Sequence, residues 1–223
     1  MPAKIVVNTP CRLRFVGPED AGRSRLESHI HATYARAYGA NVRTFMPTLI
    51  ALESLDGDLL GAMGLRTADN GPLFLEAYLD CPIQETIGCH VEQPARARIV
   101  ELGNLAAGSA GAARLLVMAL NAYLQGAGFE WVCFTATPTL RNAFRRLGLD
   151  LLDLGPADPR RLGSAASEWG SYYDVSPRVM AGNVYHGFRR LDALMTEAYV
   201  HSILVGLWRQ ARRLGLHRAG GNA

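Results

Sequence analysis

Lysine is nearly missing from this chain: of 23 basic residues among 223, only Lys4 is a lysine. Charge of either sign is also scarce, 19% of residues, and 23 basic against 20 acidic residues leave a net +3. That balance gives no ground for a nucleic-acid partner. The four cysteines (Cys11, Cys81, Cys89, Cys133) form no C-x-x-C pair, which excludes a zinc ribbon and a dithiol redox motif. His29, His31, His90 and His186 show no ligand spacing, so no metal is expected. The first apolar run, Ile5-Val-Val7, is far shorter than the ~7–15 residues of a signal peptide, and no stretch approaches the ~20 needed to cross a bilayer. These absences describe a soluble chain of cytoplasmic type. With 49% apolar residues, the chain is long enough to bury a sizeable core.

Hydrophobic periodicity and turn residues then divide the chain. Residues 19–38 read as a helix stopped by Gly39. Two apolar runs, Thr48–Leu55 and Leu59–Leu65, flank Asp56-Gly57, a strong hairpin signal. Residues 73–79 fit strand or helix, and Pro82 opens a short helix. A strand over Arg98–Ala106, a helix over Ala113–Leu124, a strand over Phe129–Thr135 and a helix over Thr139–Leu147 follow with short connections, which predicts a βαβ crossover. Residues 155–187 read as ordered loop with short strands. Arg189 to Leu216 is a long helical pattern, with Leu191, Leu194, Met195 and Ala198 at helical spacing and a basic end at Arg209, Arg212, Arg213 and Arg218.

Between the first of these strands and its helix lie Ala107, Gly108, Ser109, Ala110, Gly111 and Ala112. A strand that ends in small residues and opens a helix is a ready anion site, because unpaired amides and the helix dipole both face outward. The purely structural alternative is tight packing of helix on sheet. Neither G-x-G-x-x-G nor a Walker lysine is present, which disfavours dinucleotides and nucleotide hydrolysis.

The order strand with Glu101, small-residue turn, helix, strand ending in Thr135-Ala-Thr137, helix closing in Arg145-Arg-Leu-Gly-Leu149 resembles the core of the GNAT acyltransferase superfamily. Tyr38-Gly-Ala, Phe45-Met-Pro-Thr-Leu-Ile-Ala-Leu, Leu73-Phe-Leu-Glu-Ala-Tyr-Leu-Asp80, Ile99-Val-Glu-Leu-Gly-Asn-Leu-Ala-Ala107, Phe134-Thr-Ala-Thr137, Leu140-Arg-Asn-Ala-Phe-Arg-Arg-Leu-Gly148, Ala157-Asp-Pro and Trp169-Gly-Ser-Tyr-Tyr-Asp174 resemble the thermostable hemolysin family over residues 12–187. The resemblance implies a GNAT-like α/β (α+β) fold: a mixed, splayed sheet flanked by helices, close to the acyl-homoserine-lactone synthases. It also implies a donor that is an acyl thioester of coenzyme A or of the phosphopantetheine on acyl carrier protein. Ala106, Ala107, Gly108, Ser109, Gly111 and Ala112 fall where that superfamily holds the donor's pyrophosphate or pantetheine. Gly108 stands where Gln or Arg is usual, and Phe144 where many members carry an acidic tyrosine.

Amide formation needs a base, an oxyanion donor and two placed substrates. Glu101, a carboxyl within an apolar strand, is the expected base, with an ion pair to Arg66 or Arg98 as the structural alternative. On a regular strand Glu101, Gly103 and Leu105 share one face and Asn104 the other, but a bulge near Gly103 would change that and free the amide of Leu105 or Ala106. Asn104 either holds a substrate or ties backbone together. Thr135 and Thr137 either bind pantetheine amides or cap the next helix. Arg141 and Arg145 either meet phosphate or an acidic carrier, or are solvated. Glu76 is a candidate for the acceptor's ammonium, and Tyr172 and Tyr173, with Trp169, for a wall of the acyl pocket or simply of the core.

The resulting expectation is an acyltransferase domain over 1–188, moving a fatty acyl group to the amine of a small acceptor such as an amino acid or its derivative. A basic, amphipathic helix and tail over 189–223 would dock on the domain, on a second subunit as a homodimer, on a carrier protein or on a membrane surface. The competing expectation is a membrane-active hemolysin without catalytic transfer.

Overall fold

Alternation of apolar and polar residues, punctuated by glycine and proline, builds a seven-stranded sheet in the computed structural model, which describes residues 10–197 and 202–221. The strands are β1 (Cys11–Val16), β2 (Thr48–Ser54), β3 (Leu59–Thr67), β4 (Ile99–Ala107), β5 (Trp131–Ala136), β6 (Leu151–Pro156) and β7 (Arg178–Asn183), in the order β1-β2-β3-β4-β5-β7-β6. Only β4 and β5 are parallel; the other pairs are antiparallel. The helices are α1 (Arg23–Tyr38), α2 (Ile83–Gly88), α3 (Ala110–Gly126), α4 (Pro138–Arg146), α5 (Val184–Glu197) and α6 (Ser202–Gly221). Short 3-10 turns fill the connections, and one irregular 3-10 stretch runs over Pro159–Val175. The predicted splayed, mixed sheet is present. Ile5–Val7 and Ala198 lie outside the described residues.

Local chemistry places the elements. Gly57, at φ 92° in the Asp56-Gly57 turn, lets β2 fold back onto β3. Ser109 caps α3, accepting the Ala112 N–H at 3.1 Å, and Thr137 caps α4 ahead of Pro138. Segment 73–79 settles as a 3-10 turn over Phe74–Tyr78. The sequence pattern offers no strand at β1, where Arg12 and Arg14 interrupt the apolar run. Both arginines bond Glu53 on the neighbouring strand, which leaves Glu53 almost fully buried and its carboxyl below the usual range.

Helices α3, α5 and α6 cover one face of the sheet in a single core with Val100, Leu65 and Ile50. The other face carries α1 over β1–β3, and the Phe74–Tyr78 turn with α2 over β4, β5 and β7. Leu204, Leu207, Trp208 and Ala211 of α6 belong to the first of these cores, so the apolar side of the C-terminal helix is spent on its own domain. Its Gln210 also accepts the Leu13 N–H of β1 at 3.2 Å. Backbone meets backbone where α3 and α6 cross: a Cβ on Gly126 would sit 2.5 Å from the Arg212 carbonyl, and one on Gly215 would overlap the Tyr123 carbonyl.

That crossing gives a direct test. Gly215→Val should cost roughly 1–3 kcal/mol by overpacking, a fall of several degrees in Tm at about 2–4 °C per kcal/mol for a chain of this size. Gly206→Ala, on the same helix with open space around it, should hold or raise Tm by calorimetry.

Candidate active site

The parallel pair that makes the crossover is short. Ile99, Val100 and Glu101 of β4 register with Trp131, Val132 and Cys133 of β5, and beyond Glu101 the two strands part. The other neighbour of β4 departs from regularity at the same level. Ala62 and Gly64 of β3 register with Ala106 and Gly103, so one residue on β3 faces two on β4, a bulge. Asn104 occupies it at φ 51°, a left-handed conformation that Asn tolerates better than most residues. The bulge turns the Asn104 side chain toward Gly64, where its Oδ1 accepts the Met46 N–H at 3.0 Å and its Nδ2 faces the Thr44 carbonyl. Gly64 and Gly103 are the floor under Met46, whose side chain fills the space their missing Cβ atoms leave. Of the two readings of Asn104, the structure displays the tie between backbones. Leu105 has no partner in the register of either neighbouring strand.

A cavity runs through the gap between β4 and β5 and opens on both sides of the sheet plane, with Glu101, Leu102, Gly103, Asn104 and Leu105 along its β4 wall. Glu101 is 3% exposed. Its two carboxyl oxygens accept the N–H groups of Phe74 at 2.8 Å and Leu75 at 2.9 Å, at the start of the 3-10 turn. Burial pushes the carboxyl up to about 7, although both amides and the nearby Arg66 guanidinium pull the other way. Arg66 stands directly across from Glu101 in the β3–β4 register, yet no carboxylate among the described residues pairs with it; its guanidinium donates to the Pro72 carbonyl at 3.3 Å. Of the alternatives for Glu101, then, neither an Arg66 nor an Arg98 ion pair forms, and Arg98 donates to the Gly128 carbonyl instead.

On this face the cavity wall is aromatic: Tyr34, Phe74, Tyr78, Trp169 and Tyr172. Trp169 links them, its ring 5.6 Å from Phe74, 6.0 Å from Tyr34 and 5.5 Å from Tyr172. Burial raises the phenols of Tyr34, Tyr78 and Tyr172 well above their ordinary value, so they remain hydroxyls at neutral pH. Gly170, at φ 53°, brings this segment against the Tyr38 carbonyl. On the opposite face the wall is largely aliphatic and comes from α3, α4, α5 and the start of β6.

The remaining expected residues are distributed as follows. Thr135 lines the cavity and hydrogen-bonds with Tyr172, whereas Thr137 lies outside it as the α4 cap. Tyr173 is outside the lining; its hydroxyl shares a 2.5 Å hydrogen bond with that of Tyr78. Glu76 is not open to a ligand. Burial would raise it, but Arg96 at 2.6 Å and the amides of Ile83 and Leu73, each at 2.8 Å, outweigh that and hold it below the usual range. Arg141 reaches Asp153 at 3.9 Å, and Arg145 bonds Asn142 on its own exposed helix face. Ala106 and Ala112 are buried in the packing of the sheet and α3.

The 107–111 turn lies past the end of the cavity's β4 wall, exposed or half-exposed. Gly108 donates to the Leu60 carbonyl and Ala112 to Ser109, which leaves the amides of Ala110 and Gly111, the first two of α3, without an intrahelical acceptor. Arg66 and the aromatic wall carry more of the site than the sequence pattern signals, because cross-strand register is what brings them beside Glu101.

The titration of Glu101 is measurable without a substrate. A carboxyl that binds its proton more tightly folded than unfolded stabilises the protein fully below its ordinary value of 4.5, and this contribution is lost as pH rises through about 7. The stability gap between wild type and Glu101→Gln, from urea unfolding at pH 5 and pH 8, should therefore shift against the wild type by an amount on the order of 3 kcal/mol. An unchanged gap would place the carboxyl at its ordinary value.

Comparison with known proteins gives the architecture its relatives. No curated protein matches the sequence. The fold is similar to the CoA-dependent acyl-homoserine lactone synthase BjaI, solved with SAM and isopentyl-CoA, at TM-score 0.55, 14% identity, and 88% and 98% coverage of this chain and that one. The synthase LasI gives TM-score 0.52 at 16% identity, with 79% and 91% covered. FeeM, an N-acyl amino acid synthase from uncultured soil microbes, gives 0.54 at 14% identity, with 84% and 99% covered. The thermostable hemolysin family model matches residues 16–188, most of the chain and all of the site, and this protein belongs to that family.

Proposed function

We propose that the protein is an N-acyltransferase that moves a fatty acyl group from a thioester of coenzyme A or acyl carrier protein to the amine of an amino acid or a close derivative. One observation carries the reading: β4 and β5 part after Glu101, and the cavity through the gap has a titrating carboxyl on one side and an aliphatic arm on the other. The fold relatives with acyl-thioester and amino-acid-derived chemistry in their names support it.

In this reading the donor's diphosphate, or the phosphate of a carrier's arm, meets the free amides of Ala110 and Gly111. The pantetheine arm enters between the strands past Thr135, and the acyl chain continues into the aliphatic arm. The acceptor occupies the aromatic side, its amine at Glu101 and its carboxylate at Arg66, the unpaired cation next door. The amine lone pair adds to the thioester carbonyl carbon while the Leu105 amide hydrogen-bonds the developing oxyanion. Collapse breaks the C–S bond, the thiolate leaves, and the nitrogen's surplus proton passes to Glu101 directly or through a water. A thiolate of ordinary pKa near 8.5 leaves without an acid, which suits the phenylalanine at 144.

The lytic alternative needs a membrane-seeking surface. Among the described residues no helix is long and apolar enough to cross a membrane, and the apolar side of α6 is packed against α3. Hemolysis would then follow from a detergent-like N-acyl amino acid.

Mass spectrometry of lipids from expressing cells should reveal a new acylated amine that is absent with Glu101→Ala and Gly111→Arg. Unchanged lipids across folded variants, or lysis by purified protein without donor and acceptor, would overturn the proposal. With purified components, kcat/KM should climb with pH to a plateau above about 7, and Glu101→Gln should lower it by roughly 10²–10⁴. Arg66→Ala should raise KM for an amino acid and leave KM for the corresponding decarboxylated amine nearly unchanged.

A further inference from the structure

Two buried side-chain polar atoms among the described residues have no hydrogen-bond partner: Nε2 of His29 and Oδ1 of Asn121. Only Asn121 lines the cavity, and it does so in the aliphatic arm, away from the aromatic side. Val117, Asn121 and Leu124 are spaced i, i+4, i+7 on α3 and all three face the cavity, so the asparagine sits within an otherwise apolar stripe. Phe134 and Phe144 close the wall across from it in one aromatic contact, with centroids 5.1 Å apart.

The amide's orientation is set by its surroundings. Nδ2 points at the Val184 carbonyl of α5 at 3.4 Å, so the oxygen takes the other direction. Gly187 makes this possible, because a Cβ there would come within 2.8 Å of Nδ2. A leucine at 121 would match its neighbours and leave no polar group unpaired. An acceptor left unpaired among apolar side chains is a standing penalty, removed only when a donor arrives.

We infer that the acyl chain this site takes carries a hydroxyl group, and that Asn121 Oδ1 accepts its hydrogen bond. This rests on the proposed acyl transfer for the identity of the occupant, and goes beyond it in naming the chain's chemistry and the residue that reads it. A site built around a buried acceptor disfavours an analogue that lacks the donor, because the analogue leaves the acceptor stranded.

The test uses thioesters of one chain length, plain or hydroxylated at successive carbons, with the full chain and one amine acceptor. At one hydroxyl position the wild type should show kcat/KM about tenfold or more above the plain chain. Asn121→Leu should bring that ratio to within about twofold while improving use of the plain chain, an outcome that general damage to the fold does not produce. Equal use of plain and hydroxylated chains by the wild type, or a preference that survives Asn121→Leu, overturns the inference. If no thioester is turned over, the acyl-transfer reading fails instead, and calorimetry with the free plain and hydroxylated fatty acids still decides whether Asn121 selects the hydroxyl: stronger binding of a hydroxylated acid, lost in Asn121→Leu, supports it, and anything else overturns it.

Discussion

A strand in the middle of a sheet normally spends its N–H and C=O groups on both neighbours, and β4 does so for only three residue pairs with β5. Past Glu101 the two strands diverge inside the protein, where unmet backbone groups are expensive. The rest of the molecule is arranged around that break. The bulge at Asn104 relaxes β4 against β3 at the same height, the 44–46 segment is drawn in to bond it, and two glycines give way beneath Met46. The gap is the one place where a ligand can take up hydrogen bonds that the sheet has left unused.

The divergence also turns the sheet into a partition with a slot. On one side stand a carboxyl, an unpaired guanidinium and a ring of protonated phenols; on the other lies a hydrocarbon-lined arm. A reaction that joins a polar amine to an apolar chain needs such a division, because either partner would be poorly solvated in the other's compartment. Glu101 sits at the slot itself. Its two backbone amides fix its direction while its burial keeps its proton affinity high, and neither effect alone would yield a group poised near neutrality.

How far the sequence foretold this depends on the range of each interaction. The hairpin at Asp56-Gly57, the β4–α3–β5–α4 crossover and its caps are local, and Ser109, Thr137 and Pro138 announce them within a few residues. Glu101 stood out as a carboxyl in an apolar run. Strand β1 was invisible because its arginines make sense only against Glu53, some forty positions away. Glu76 misled for the same reason: alone it resembles an open carboxylate, and only the fold brings Arg96 to it. Arg66 became conspicuous only once register set it beside Glu101 without an ion pair. Single-residue oddities are legible in one dimension, whereas pairings, and failures to pair, are not.

The bare crossing of Gly126 on Gly215 has a reach beyond packing. Helix α3 begins at the 107–111 turn, carries the polar notch of the aliphatic arm midway, and ends under α6. With peptide planes in direct contact there is no cushion of side chains to absorb sliding, so the rod is pinned lengthwise at its far end. The interval between the site that would grip the donor's phosphates and the notch that would sense its hydrocarbon tail thus becomes a fixed yardstick, and the C-terminal helix, remote from all chemistry, is what keeps its scale.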